Sequence, residues 1–292
     1  MTKVLILGNN GMLGSATEIV FKAASSIQVE TTSKSGENAT HHFDVFNEDL
    51  HSLMVTASPQ YVINCIGLIK PRIDDADMDS VRNALHVNSL FPNRLGQIAG
   101  NLGVKVIQIA TDCVYSGSKG LYSEDAPHDP LDVYGKTKSL GEISAENFLN
   151  LRVSIIGPEQ GRATSLLEWF LNQPTNSQVK GFANHFWNGV STFHFAKVAL
   201  GIIENSSFKA GKLHLVPQDQ ISKYDLLNYF RDSFERKDID ISEVYPDEVV
   251  NRTLTSKYEM DNRILWQNAG YSEIPTVRQI VEEMSQFKVD RW

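Results

Sequence analysis

Two stretches of this 292-residue chain place a tyrosine four residues before a lysine: Tyr115/Lys119 in "YSGSK" and Tyr134/Lys138 in "YGKTK". Such a pair can move a proton if the ammonium stabilises the phenolate. A phenol has an ordinary pKa of about 10, and lowering it by about three units takes about 4 kcal/mol. A neighbouring ammonium and a positively charged oxidised nicotinamide are suitable sources of that energy. Among nine tyrosines a match arises readily by chance, so the spacing proves nothing alone. Side chains four apart face one another only on a helix. Tyr115 leads into "SGSKG", which reads as a flexible turn, whereas Tyr134 leads into "GKTKSLGEISAENFL", which reads as a helix. The second pair is therefore expected to act as a unit. In a carbonyl reduction Tyr134 would protonate the oxygen while hydride reaches the carbon. Thr111 would hydrogen-bond the same oxygen, and Lys138 would hold the ribose hydroxyls.

These residues need a scaffold, and the chain supplies alternating strands and helices. "KVLILG" is a short apolar run ending in glycine, and "NNGMLGSATEIVFKAA" then changes to helical rhythm. "IQVETTS", "QYVINCIG" and "VKVIQIATD" are further β-rich runs, with "RNALHVNSLFPNRLGQIAGNLG" a helical stretch between them. The alternation implies an α/β fold of Rossmann type, a doubly wound parallel sheet with right-handed crossovers. Beyond Leu151, "LRVSIIG" and "KLHLVP" read as buried strands and "TSLLEWFLNQ" and "STFHFAKVALGIIEN" as helices. "SKYDLLNYFRDSF" opens with Ser222 and Asp225 at capping-box spacing, and "TVRQIVEEMSQF" closes the chain as an amphipathic helix. The expected division is a dinucleotide-binding unit over residues 1–160, with 190–218 returning to it. Residues 161–189 and 219–292 would form a smaller, interleaved C-terminal substrate lobe.

"GNNGMLG" sets Gly8, Gly11 and Gly14 between the first strand and first helix, spaced Gly-x-x-Gly-x-x-Gly. Glycine allows the tight turn, the close approach of backbone to a pyrophosphate, and the packing of helix on strand. Asn10, Met12 and Leu13 complete that cradle. Where the second strand ends, an acid would favour NAD and a hydroxyl or basic group NADP. "VETTSKS" places Glu30 too early and leaves Ser33 and Lys34 at the tip, so NADPH is expected, with NADH the alternative and a solvated loop charge the plain reading of Lys34. "HFDVFN" places Asp44, followed by Val45, where a carboxylate could accept from the adenine amino group. "NCIG" brings Cys65, Ile66 and Gly67 to the expected switch-point crevice. Thr111 ends its strand on the same side of the sheet.

Composition narrows the partners. The net charge of -8, without a Lys/Arg block, argues against a nucleic-acid surface. No apolar run is long enough to span a membrane, and strand-like sequence begins at once, so a soluble, cytoplasmic protein is expected. Cys65 and Cys113 lack paired spacing and read as buried reduced thiols, and His41/His42 as a solvated strand start, so no metal site is expected.

"GNNGMLG", "ATDCVYSGSKGLYSEDAPHDPLDVYGKTKSLGE" and "LRVSIIG" together resemble the extended short-chain dehydrogenase/reductases. Within them the resemblance is to the dTDP-4-dehydrorhamnose reductase-like branch, which reduces the 4-keto group of nucleotide-activated 6-deoxysugars. It is dense to about residue 160 and thin beyond. It implies catalytic Thr111, Tyr134 and Lys138, with Asn88 of "LHVNSLFPN" helping to hold the lysine. Nucleotide-sugar dehydratases of the superfamily carry Asp-Glu after the catalytic threonine; here Asp112-Cys113 follows Thr111, so that chemistry lacks its base. "LIKPRIDD" departs from the rhamnose enzymes. "GFANHFWNGVST" resembles a substrate-contacting segment, which suggests Trp187 and Asn188, with Arg263 and Asp112, as substrate contacts; core packing is the alternative for Trp187. The expectation is an NADPH-dependent reductase of a nucleotide-sugar substrate, feeding polysaccharide precursor synthesis. The alternatives are a 4-epimerase with retained NAD, and a non-catalytic NADP-binding subunit resembling the regulatory β subunit of methionine adenosyltransferase. The superfamily suggests a homodimer, and no interface is assigned.

Overall fold

The structure, a computed structural model, describes residues 1–159 and 165–287. In chain order the first half contains β1 (Thr2–Leu7), α1 (Met12–Lys22), β2 (Ile27–Ser33), β3 (His41–His42), α2 (Leu50–Ala57), β4 (Tyr61–Asn64), α3 (Met78–Leu85), α4 (Phe91–Asn101), β5 (Lys105–Thr111) and α5 (Val133–Leu140). The second half contains β6 (Phe148–Val153), β7 (Ile155–Ile156), α6 (Leu166–Leu171), β8 (Gln178–Phe182), β9 (His185–Trp187), β10 (Val190–Ser191), α7 (Thr192–Glu204) and β11 (Gly211–His214). It ends with β12 (Ile221–Ser222), α8 (Lys223–Ser233), β13 (Asp240–Val244), β14 (Val250–Asn251), α9 (Glu259–Asn268) and α10 (Val277–Gln286).

Seven strands form one parallel sheet in the order β11-β6-β5-β4-β1-β2-β3. The strands are apolar on both faces because helices cover both. Along β1, Val4 and Ile6 enter one core with Phe195, Ile202 and Trp266, while Leu5 and Leu7 enter the other with Leu53, Phe91 and Phe148. Full burial of each such side chain stabilises the fold by about 1.5–3 kcal/mol. Strand order reverses between β1 and β4, which opens a crevice at their carboxyl ends. A separate core of Leu167, Phe170, Trp187, Phe230 and Val281 unites α6, α8, α10 and the short strands around them. Strand β11 lies beside β6 in the central sheet, and α7 packs on α1. The boundary expected at residue 160 lies outside the described residues.

The α/β reading from the sequence holds, with local corrections. Helix α5 stops at Leu140, far short of the expected stretch through "ENFL", because Gly141 caps it and Phe148 already begins β6. A Cβ at Gly141 would overlap the Asn88 carbonyl. The "RNALHV…" stretch divides into α3, a π-helical turn over His86–Leu90, and α4. The capping box at Ser222/Asp225 forms as expected. His41 and His42 each meet a carboxylate, Glu30 at 2.7 Å and Glu48 at 3.2 Å, where no such partner was expected. Among the described residues no helix is long and apolar enough to cross a membrane.

Candidate active site

The glycine turn is built to leave a helix end open. Gly8 has φ +82, a conformation favouring glycine, and its N–H donates to the Thr32 carbonyl at 3.1 Å. Gly14 admits no side chain, since a Cβ would overlap the Gly8 carbonyl. The N-cap of α1 is Gly11, with no side-chain cap and no acidic residue in the first turn. Its first N–H groups are thus not taken by the chain's own side chains, and Gly11, Met12 and Leu13 line the crevice. That arrangement fits a dinucleotide pyrophosphate. Asn10 stays exposed, reaching the Glu37 carbonyl at 3.4 Å. Its neighbour Asn9, which the sequence reading passed over, is fully buried and donates to Glu18 at 2.9 Å and to the Asn38 carbonyl at 2.7 Å. Asn9 therefore pins the loop after β2 over the turn.

Ser33 ends β2 and Lys34 follows it. Glu30 is occupied further back by Lys3 and His41, both at 2.7 Å. Ser33 donates to the Glu37 carbonyl at 3.0 Å, and Lys34 pairs with Asp44 at 3.3 Å. Burial would raise the Asp44 carboxyl, but the Phe46 N–H and Lys34 together hold it below the usual value. Val45 packs into the core behind β1 and offers its carbonyl to His86. These four residues stand at the ends of β2 and β3, outside the lining of the central crevice.

Tyr134 and Lys138 lie one turn apart on α5. Asp132 caps that helix by accepting from the Gly135 N–H at 2.8 Å, and also pairs with Lys70 at 2.8 Å. Gly135 allows the Cys113 carbonyl to pack against the helix. Lys138 is buried, donates to the Ile109 carbonyl at 3.0 Å, and is drawn down to about 8 by burial against the opposing pull of Glu142. Tyr134 moves the other way from the expectation: burial, with Cys113 adding to it, raises the phenol, and the Thr111 hydroxyl only partly opposes this. On balance the chain's own groups raise it. Thr111 donates to Asp112 at 3.1 Å and accepts from the Cys113 N–H at 3.2 Å. Both thiols are free and pushed up to about 12 by burial, so they are neutral. Asn88 is buried, and its amide contacts the Leu68 backbone and Thr137, not Lys138 itself.

Tyr134, Lys138, Thr111, Asp112 and Cys65–Gly67 share with the glycine turn one crevice of about 370 Å³ at the carboxyl ends of β1, β4, β5 and β6. Residues 1–287 match the family described as RmlD substrate binding domain. The chain belongs to that family. The mouse methionine adenosyltransferase 2 subunit beta is similar to it, 26% identical over 249 residues that cover 80% of this chain and 72% of the relative. A dTDP-4-dehydrorhamnose reductase of Aggregatibacter actinomycetemcomitans is 25% identical over 237 residues, 77% of this chain and 76% of the relative. The crystal structure of dTDP-4-dehydrorhamnose reductase from Bacillus anthracis in complex with NADP shares the fold, with a TM-score of 0.76 at 16% identity over 97% of this chain and 98% of that one.

Other positions of this RmlD-family chain lie elsewhere than the sequence suggested. Trp187 is buried in the separate core that it shares with Phe170 and Phe230, its indole N–H donating to Ser154 at 2.9 Å. Asn188 is consumed by the Leu254 backbone, which it meets at 2.6 and 2.9 Å. Arg263 sits on α9 facing Glu273 at 3.4 Å. None of the three lines the crevice. Ser154, Ile155, Ser165 and Leu166 do, as do Lys70 and Arg72 of the divergent "LIKPRIDD". Ser154 directly follows β6, so the rule that ligands gather at strand carboxyl ends would have found it. Tyr115, of the rejected pair, is buried and bonded to the Ser123 carbonyl and Arg152.

Proposed function

We propose that this chain is an NADPH-dependent reductase acting on the 4-keto group of a nucleotide-activated 4-keto-6-deoxyhexose. The observation that carries the reading is the meeting of Tyr134, Lys138 and Thr111 with the open N-terminus of α1 in one crevice. The relatives named dTDP-4-dehydrorhamnose reductase, one of them solved with NADP, support it. In this reading residues 1–160 and 190–218 hold the cofactor and the remainder meets the sugar nucleotide.

NADPH, when bound, supplies the hydride. The Tyr134 phenol gives its proton to the carbonyl oxygen, and its raised pKa keeps that proton in place until charge develops there. Lys138, which donates to the Ile109 carbonyl, would hold the ribose hydroxyls and offset phenolate charge. Thr111 orients the carbonyl oxygen, and Asn88 supports α5 from behind. Ser33 and Lys34 would receive the 2′-phosphate, Ser33 by releasing the Glu37 carbonyl to which it donates, and Asp44 and Val45 would lie beside the adenine. Asp112-Cys113 after Thr111 provides no glutamate base for dehydration.

The test is a panel of dTDP-, UDP-, GDP- and CDP-linked 4-keto-6-deoxysugars offered to purified protein with NADPH, with the C4 configuration of the product read by NMR. Oxidation of NADPH with none of them overturns the reading. A non-catalytic cofactor-binding subunit is the second reading, favoured by the relatives named methionine adenosyltransferase 2 subunit beta. It requires silence across that panel together with stoichiometric binding to a methionine adenosyltransferase catalytic chain.

A further inference from the structure

Thr111 cannot serve every partner at once. A hydroxyl carries one proton and two acceptor sites. Its oxygen is 3.1 Å from Asp112 Oδ1, accepts from the Cys113 N–H at 3.2 Å, and faces the Tyr134 phenol. Three polar groups thus meet in a row, Tyr134, Thr111 and Asp112, all lining the crevice. Asp112 is buried beside Ser154, whose oxygen already accepts from the Trp187 indole at 2.9 Å. The charged and titratable groups around it are Lys223 at the start of α8, Arg252 beyond β14, Cys113 and Tyr134.

We propose that Asp112 is the proton reservoir of this site, restoring through Thr111 the proton that Tyr134 gives up in each turnover. The inference rests on the reductase reading and adds to it a proton route that runs from solvent through Asp112 and Thr111 to Tyr134. Tyr134 loses its O–H proton to the substrate oxygen, where a new O–H bond forms. The Thr111 proton then passes to the phenolate oxygen as the Asp112 carboxyl proton passes to Thr111 Oγ1. Asp112 is left as a carboxylate and recovers from the solvent proton pool the one H+ that each reduction by NADPH consumes, so the cycle closes with no change of oxidation state along the relay. With Asp112 ionised, Thr111 must donate to it; with Asp112 protonated, the same contact runs from Asp112 to Thr111 and frees the Thr111 proton for Tyr134. Burial favours the second arrangement, raising the Asp112 carboxyl against the pull of Ser154 and Arg252. Asp112 lines the crevice but acts on the reacting oxygen only through Thr111, and is in that sense a positioning residue.

Two measurements on the full chain test this. With NADPH bound at neutral pH, the infrared carbonyl band of a protonated carboxyl is expected, and Asp112→Asn is expected to remove it. No such band means an ionised Asp112 and overturns the relay whether or not a substrate is known. With a reducible nucleotide 4-ketosugar, Asp112→Asn is expected to slow later turnovers by about tenfold or more beyond any slowing of the first oxidation of NADPH at each site. Asp112→Glu is expected to restore them, which separates loss of the proton from loss of the fold. Equal slowing of first and later turnovers means that Asp112 merely holds Thr111, and overturns the proposal. A chain that reduces no sugar removes the reductase reading, an outcome distinct from an ionised Asp112.

Discussion

Asn88 and Thr137 meet side chain to side chain, Nδ2 to Oγ1 at 3.2 Å, and so join the π-helical turn before α4 to the helix that carries Tyr134 and Lys138. The same amide receives the Leu68 N–H at 2.9 Å and donates to the Leu68 carbonyl at 3.0 Å. One buried side chain therefore fixes both the loop after β4 and α5, two walls of the crevice. Beneath it Asn64 donates to Gln108, which donates to the Gly141 carbonyl, each at 2.8 Å, tying β4 and β5 to the end of the same helix.

Asn88→Ala leaves the Leu68 N–H and carbonyl without their partner. The expected cost is about 2–4 kcal/mol, read by urea unfolding. Turnover is expected to fall as well, because α5 loses the contact that sets its depth. An unfolding midpoint unchanged from the wild type would show that Asn88 is not the tie described.

Lys34 is exposed, and its ion pair with Asp44 contributes at most about 1 kcal/mol to stability. Lys34→Ala is therefore expected to leave unfolding unchanged while weakening NADPH binding by about tenfold, the worth of one charge contact to the 2′-phosphate. NADH affinity should not move. Fluorescence titration with both cofactors checks this, and equal affinities for NADPH before and after the change would remove Lys34 from the site.

Burial holds Lys138 at about 8 in the folded chain against an ordinary 10.5. Between those values the unfolded chain keeps a proton that the folded chain has lost, so stability rises with pH across the window, by up to about 3 kcal/mol. Below about 8 both states hold the proton, and the buried ammonium is a standing cost. Lys138→Met is expected to abolish the rise and to make the protein more stable near neutral pH, as read by urea unfolding at several pH values. Turnover that depends on the ammonium should decline as pH rises through about 8.

The parts of this architecture that sequence reveals are those held by local patterns. The glycine turn between β1 and α1 and the apolar runs of β4, β5 and β6 carry their own periodicity, and Tyr134/Lys138 separates from Tyr115/Lys119 by the helix that follows it. What stayed hidden depends on distant partners. Strand β8 forms only because β13, about sixty residues later, pairs with it in register from Gln178 with Asp240 to Phe182 with Val244. Helix α5 ends early because Gly141 packs on Asn88, a contact with no local signature. Trp187 and Asn188 resemble ligand contacts by type, yet the first is held by a core and the second by the backbone of Leu254. The raised Tyr134 pKa depends on burial depth, which a sequence spacing does not encode.

Tyr115 and Tyr134 give the sharpest contrast. Tyr115 donates to the Ser123 carbonyl at 2.9 Å and accepts from Arg152 at 2.7 Å within a buried network that includes Glu142 and His214. Tyr115→Phe is expected to lose about 1–3 kcal/mol of stability and to keep turnover in the surviving folded protein. The decisive measurement is NADPH oxidation by Tyr134→Phe with a nucleotide 4-ketosugar that the wild type reduces. The expected result is a loss of about a hundredfold or more in kcat with NADPH affinity within a few-fold of the wild type. Retained turnover in Tyr134→Phe, or its loss in folded Tyr115→Phe instead, would contradict the account.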